Sequence, residues 1–196
     1  MPWLEPVTLE NDAACLVPLA QDHAEDLKAA AADGALWELW YTTVPKPEDL
    51  NADIDKKREM QTAGSMLPFA VFAPGGSQAV GVTTFMNADA ANKRVEIGST
   101  WYARSVQRSP LNTNCKYLLL RHAFETLGCN AVELRTHVMN LQSRRAIERL
   151  GAKLDGILRN HMIMPNGTLR DTAVYSILNS EWPAVEANLK FRMQAR

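Results

Sequence analysis

The chain has 196 residues, 46% of them hydrophobic and 22% charged, and a net charge of −1 at pH 7. That length can bury one substantial core, and no shift in composition divides it, so a single domain over residues 1–196 is expected. So balanced a charge offers nucleic acid or an anionic membrane no broad attraction, and no apolar run approaches the length of a membrane span, so neither is expected as a partner. Cys15, Cys115 and Cys129 are an odd set without metal-ligand spacing in or beside apolar runs, which predicts reduced, buried thiols in a cytoplasmic protein and no metal site. The start, Met1-Pro2-Trp3-Leu4-Glu5, has neither a basic leader nor an apolar one, which points to a soluble protein.

In chain order, a strand is predicted over Ala14 to Leu19, then helices over Gln21 to Ala32 and Lys46 to Thr62, the second opened by Pro47-Glu48-Asp49. Strands follow at Leu67 to Ala73, Ala79 to Met86 and Arg94 to Ala103, close enough together to form an antiparallel meander. A helix from Pro110 to Leu127 comes next and stops at Gly128. Two further strands are joined by Pro165-Asn166-Gly167, a hairpin signal, and a last amphipathic helix carries Trp182, Val185, Leu189 and Met193 on one side. No internal repeat or low-complexity segment is present.

The stretch from Asn130 to Ala152 is the most informative. Val132, Leu134, Thr136 and Val138 alternate with Glu133, Arg135 and His137, which is strand patterning. After Asn140 the apolar spacing changes to Leu141, Ala146, Ile147 and Leu150, and Gly151 supplies a helix stop. A strand therefore hands over to a helix at Asn140, a residue suited to cap the helix through its side-chain oxygen.

Asn140-x-x-Ser143-x-x-Ala146-Ile147, followed by Leu150-Gly151-Ala152, resembles a block of the GNAT acyl-CoA N-acetyltransferases, usually N-x-x-[AS]-x-x-L-Y-x-x-x-G-F. Three other stretches agree in order. Val95-Glu96-Ile97-Gly98-Ser99-Thr100-Trp101 is similar to the family's E-[IL]-G-x-W strand, and Gln107-Arg108-Ser109-Pro110-Leu111-Asn112-Thr113 stands where the family has its pyrophosphate loop. Asp171-Thr172-Ala173-Val174-Tyr175-Ser176-Ile177, then Glu181-Trp182, resembles the closing pattern of the Rim-type branch, which includes ribosomal-protein N-terminal acetyltransferases. The resemblance runs from about residue 15 to 182. It implies an α/β (mixed α+β) fold: a mostly antiparallel, twisted sheet flanked by helices, in the order β-αα-βββ-αβ-αββ-α.

The resemblance further implies acetyl-CoA as co-substrate and a primary amine, on a protein N-terminus or a small molecule, as acceptor. Its cofactor contacts fall on Trp101, Gln107, Arg108, Ser109, Leu111, Asn112, Thr113, Asn114, Asn140 and Arg144. The chain departs from the family loop by placing Pro110 and Asn112 where small residues normally stand, so Asn112 and Thr113 would offer side-chain donors there. Ile147 occupies the place of the family's proton-donating Tyr, and Ser143 matches the Rim-type alternative. Asn140 would bind the pantetheine arm or orient Ser143. Two residues are candidates for the base that accepts the amine proton, Glu96 and His137. Trp37, Trp40 and Tyr41 cluster as a cleft lip or as core. Family habit and the apolar last helix suggest a homodimer. A catalytically silent acyl-CoA-binding protein and an oligomeric interaction module are the rival readings.

Overall fold

The computed structural model describes residues 3–194. It begins with a hairpin of β1 (Leu9–Asn11) and β2 (Ala14–Pro18), turned by the Asn11 side chain, whose oxygen accepts the N–H groups of Ala13 and Ala14. Two helices follow, α1 (Ala24–Ala32) and α2 (Leu50–Thr62), each opened by a tighter turn, over Gln21–His23 and Pro47–Asp49. A meander of β3 (Met66–Phe72), β4 (Ala79–Asp89) and β5 (Arg94–Tyr102) leads to α3 (Leu111–Arg121). The end of α3 widens, Leu127 N–H bonding to the His122 carbonyl, before the chain enters β6 (Ala131–His137) and α4 (Leu141–Leu150). The hairpin of β7 (Lys153–Ile163) and β8 (Leu169–Leu178) and the helix α5 (Trp182–Gln194) complete the order.

The strands form one sheet in the order β1-β2-β3-β4-β5-β6-β8-β7, antiparallel throughout except where β5 meets β6. This is the mixed α/β architecture expected from the sequence. One face carries α1 and α2, whose Leu27, Ala31, Leu50 and Ile54 pack on Ala70, Val82 and Trp101. The other carries α3 and α5, where Leu118, Leu119 and Leu189 meet Phe69, Phe85, Ile97 and Leu134. β3 is buried along almost its whole length because helices cover both its faces, which explains its unbroken apolar run. Each fully buried Leu or Phe contributes roughly 1.5–3 kcal/mol over leaving it exposed.

Expected and observed elements differ in two places: β1 has no counterpart among the expected strands, and the expected Pro110–Leu127 helix is regular only to Arg121. β7, at the sheet edge, is exposed along nearly its whole length. The last helix buries Trp182, Val185 and Leu189 as expected. Gly151 ends α4 at φ 104, and a Cβ there would sit 3.0 Å from Val185, so both backbone conformation and packing call for glycine. Cys115 and Cys129 are buried free thiols that burial raises to about 11, while Cys15 is half-buried and also free. No helix among the described residues is long and apolar enough to cross a membrane.

Candidate active site

β5 and β6 run parallel and share only three ladder positions, Arg94 with Ala131, Val95 with Val132 and Glu96 with Glu133. Beyond Glu96 the strands part, β5 staying with β4 and β6 with β8. The cause lies in β5. Its pairing with β4 slips between Val82–Trp101 and Thr84–Gly98, an extra residue that places Ser99 at φ 46. A bulge of this kind bends its strand and increases its twist. The result is a wedge-shaped cleft whose two banks, Ile97–Tyr102 and Leu134–His137, present unpaired backbone groups to each other.

The wide end of the cleft leads to α3. Its approach is held by side chains: Gln107 Nε2 donates to the Tyr102 carbonyl at 2.9 Å, Ser109 Oγ donates to the Val106 carbonyl at 2.6 Å, and Asn114 Nδ2 donates to the Pro110 carbonyl at 3.0 Å. Asn114 also accepts from Asn11, so it is an anchor inside the fold. Leu111 belongs to the core, and Trp101 packs against the α1–α2 face with its indole N–H unpartnered. Of the residues expected at the cofactor, Leu111 and Asn114 therefore turn inward, while the Gln107 and Ser109 side chains are engaged by neighbouring carbonyls, Ser109 at an exposed position. Asn112 and Thr113 are half-buried in the first turn, and Arg108 is exposed at φ 61. Pro110 at the start of α3 offers no side-chain cap, but Ser109 Oγ accepts the Leu111 N–H at 3.3 Å. The N–H groups of Asn112 and Thr113 and the positive dipole end remain available to an anion, with Arg104 and Arg108 exposed on the preceding segment. Pro110 fits as a residue that has no N–H to leave unsatisfied.

At the narrow end sits Glu96, 6% exposed, with Oε2 accepting from Asn87 Nδ2 at 2.7 Å and facing Arg135 Nε at 3.4 Å. Gly98 makes room for it, because a Cβ there would lie 2.9 Å from Glu96 Oε1. Burial raises the Glu96 pKa, and Asn87 and Arg135 only partly offset it. Its neighbour across the last rung, Glu133, behaves oppositely. Burial pushes it up as well, but hydrogen bonds from Arg94 and Arg135 outweigh that and hold it below its ordinary value. The environments of these two adjacent carboxylates drive their pKa values apart, Glu133 downward and Glu96 upward.

His137 is 3% exposed. Its Nδ1 accepts the Met139 N–H at 3.1 Å, so the neutral ring carries its proton on Nε2, which is buried and unpartnered. Burial and then Arg170 lower its pKa, keeping it neutral. With one lone pair engaged and the other nitrogen protonated, the neutral His137 ring has no free site for a proton. Exposed Trp40 lies edge-on to His137 at 5.1 Å between ring centroids and to half-buried Tyr41 at 5.6 Å, forming a lip over the C-terminal end of β6, while Trp37 is half-buried.

Asn140 caps α4, its Oδ1 accepting Ser143 N–H at 3.0 Å. That leaves the backbone of half-buried Ser143 fixed and its hydroxyl without a partner among the described residues. Asn140→Ala should lower stability by about 1 kcal/mol in a denaturant titration, the ordinary cost of losing an Asn cap. Arg144 turns away from the loop: Nε donates to Tyr175 Oη at 2.9 Å and Nη1 reaches the Val138 carbonyl at 3.4 Å. Sequence reasoning missed Asn87, Glu133, Arg135 and Arg170 around Glu96. Only Glu133 and Arg135 had a signal, their place two residues apart on the same side of β6 as His137.

Comparison with known proteins agrees with this geometry. A sequence model of the family described as "Acetyltransferase (GNAT) domain" matches residues 14–153. The Bacillus subtilis (strain 168) protein provisionally named ribosomal N-acetyltransferase YdaF is 33% identical over 102 residues, 52% of this chain and 55% of that protein, so the match spans about half of this curated relative. Its name agrees with the Rim-type branch. The crystal structure of a GCN5-related N-acetyltransferase from Brucella melitensis is similar at 32% identity and a TM-score of 0.86, covering 98% of this chain and 87% of that one. A provisionally named acetyltransferase from T. thermophilus is similar at 31% identity and a TM-score of 0.84, over 97% and 98% of the two chains. Family match, fold and cleft coincide, and the chain belongs to the GNAT acetyltransferase family.

Proposed function

We propose that the protein transfers an acetyl group from acetyl-CoA to a primary amine, by direct attack with both substrates bound. The observation that carries this reading is the cleft itself. Its free strand edges lead from a helix N-terminus with free N–H groups at Asn112 and Thr113, suited to a pyrophosphate, to a buried carboxylate with a raised pKa. An extended amide-bearing arm can bond to the β5 edge as an added strand would. Acetyl-CoA supplies an activated thioester and a thiol leaving group. Glu96 accepts the amine proton, directly or through water, and the Ser143 hydroxyl can donate a proton on the leaving-group side. Asn140 orients Ser143, and Arg135, tied to Glu133, keeps a positive charge near Glu96.

The acceptor we favour is a protein N-terminus. An α-amine has a pKa near 7.7–8.0 against about 10.4 for a lysine, so a single carboxylate base has less to do. The ribosomal N-acetyltransferase name of YdaF points the same way. A cytoplasmic location and a homodimer accompany this proposal.

The test is the thermal midpoint with acetyl-CoA, CoA and adenosine diphosphate, followed by turnover on peptides with free and blocked N-termini. A ligand at about 100 times its Kd stabilises the fold by about 2.7 kcal/mol. We expect a saturable rise with acetyl-CoA and CoA and acetylation only of free N-termini. No rise at millimolar ligand overturns the proposal, whereas binding without transfer to any amine would leave a silent acyl-CoA-binding protein.

A further inference from the structure

Lys116 lies on the second turn of α3, is 7% exposed, and has no carboxylate in contact among the described residues. Its Nζ donates instead to two hydroxyls, Thr100 Oγ1 at 2.9 Å and Thr83 Oγ1 at 3.5 Å. Those hydroxyls are themselves 2.8 Å apart, and Thr100 Oγ1 also donates to the Gly98 carbonyl at 3.3 Å. Gly98, Ser99 and Thr100 make the bulge that parts β5 from β6. One ammonium thus braces the helix against β4 and β5 at the point where the cleft opens.

A buried cation without a counter-ion is expensive, and an apolar side chain of the same length would pack there at less cost. Burial pulls the Lys116 pKa down to about 8. Stability alone gives no reason for the charge. Placement does, since a long cofactor must touch the α3 end and the β5 edge together, and a shift of one against the other separates its two footholds.

Resting on the acyl-CoA reading above, we infer that Lys116 is a positioning residue which fixes the α3 N-terminus against the β5 bulge and so sets the affinity for acyl-CoA. It acts through Thr100 and Thr83.

Calorimetric titration with acetyl-CoA and with adenosine diphosphate tests this on the wild type, Lys116→Met and Thr100→Val. Loss of a hydrogen bond to a charged group corresponds to about tenfold or more in a dissociation constant. Lys116→Met is therefore expected to weaken acetyl-CoA by at least about tenfold. Adenosine diphosphate, which needs only the helix end, is expected to change by less than about threefold. Thr100→Val should weaken acetyl-CoA in the same direction, and the double variant should be no worse than Lys116→Met alone, because both remove one brace. Hydrogen exchange should quicken at Ile97–Tyr102 in both single variants without ligand. Unchanged acetyl-CoA affinity in Lys116→Met, or equal losses for the two ligands, overturns the inference. If Lys116→Met does not fold, Thr100→Val carries the same two outcomes. A wild type that binds neither ligand overturns the acyl-CoA reading itself.

Discussion

Glu96→Gln should lower kcat/KM for the amine by about a hundredfold or more at neutral pH, the ordinary scale of a lost general base. Gln keeps the shape and can still accept from Asn87, so the cleft retains its form. The wild-type rate should fall on acidification through a pKa above the usual carboxylate range, because burial raises that of Glu96. The Glu96→Gln protein should lose this acid limb. Stability should move the other way. A carboxyl whose folded pKa is raised holds a proton that the unfolded chain has released, so between the two pKa values stability falls as pH rises. At neutral pH the wild type bears the full cost of the buried charge, and Glu96→Gln should be at least as stable as the wild type. Initial rates and thermal midpoints from about pH 5 to 9 measure both. Full turnover with an unchanged pH profile would remove Glu96 from the reaction.

Ser143→Ala should reduce kcat by about thirtyfold to a hundredfold, a typical share for a positioned proton donor, while acetyl-CoA affinity changes far less. The separation follows from the geometry. The backbone N–H of Ser143 is the group that Asn140 holds, and Ala preserves it. The hydroxyl has no hydrogen-bond partner among the described residues, so its removal leaves none of them unsatisfied. Single-turnover rates beside equilibrium binding check the split. Equal losses in both would make Ser143 a binding residue, and no loss in either would exclude it.

Much of the site's frame is legible in the sequence because it depends on local patterns. The alternation in β6, the change of period at Asn140 and the stop at Gly151 are short-range signals, and all three appear where the pattern puts them. β1 escaped because three residues are too few to show a period, and its hairpin rests on one Asn side chain. The aim of Arg144 escaped because its partner, Tyr175, is 31 residues away on β8. Gln107 and Asn114 match positions that suggest a ligand, yet the neighbouring carbonyls of Tyr102 and Pro110 claim their amides. Lys116 escaped for a different reason. Helical spacing sorts a buried side from a wet one, but Asn114 through Leu120 are all buried, so no wet side exists to predict along that stretch. The ground for proposing Glu96 over His137 is likewise in the folded arrangement, where the Met139 N–H engages His137 Nδ1.

The three shared positions of β5 and β6 also say how the molecule holds together. Seven positions join β6 to β8 and another seven join β3 to β4, so the sheet is two well-sewn leaves with a short seam between them. Opening along that seam breaks only three ladder positions, as few as join the edge pair β1 and β2. An extended occupant bonded to both banks would close it, and the two leaves would then melt and exchange as one body. The cofactor of such a protein is, in mechanical terms, its missing stitch.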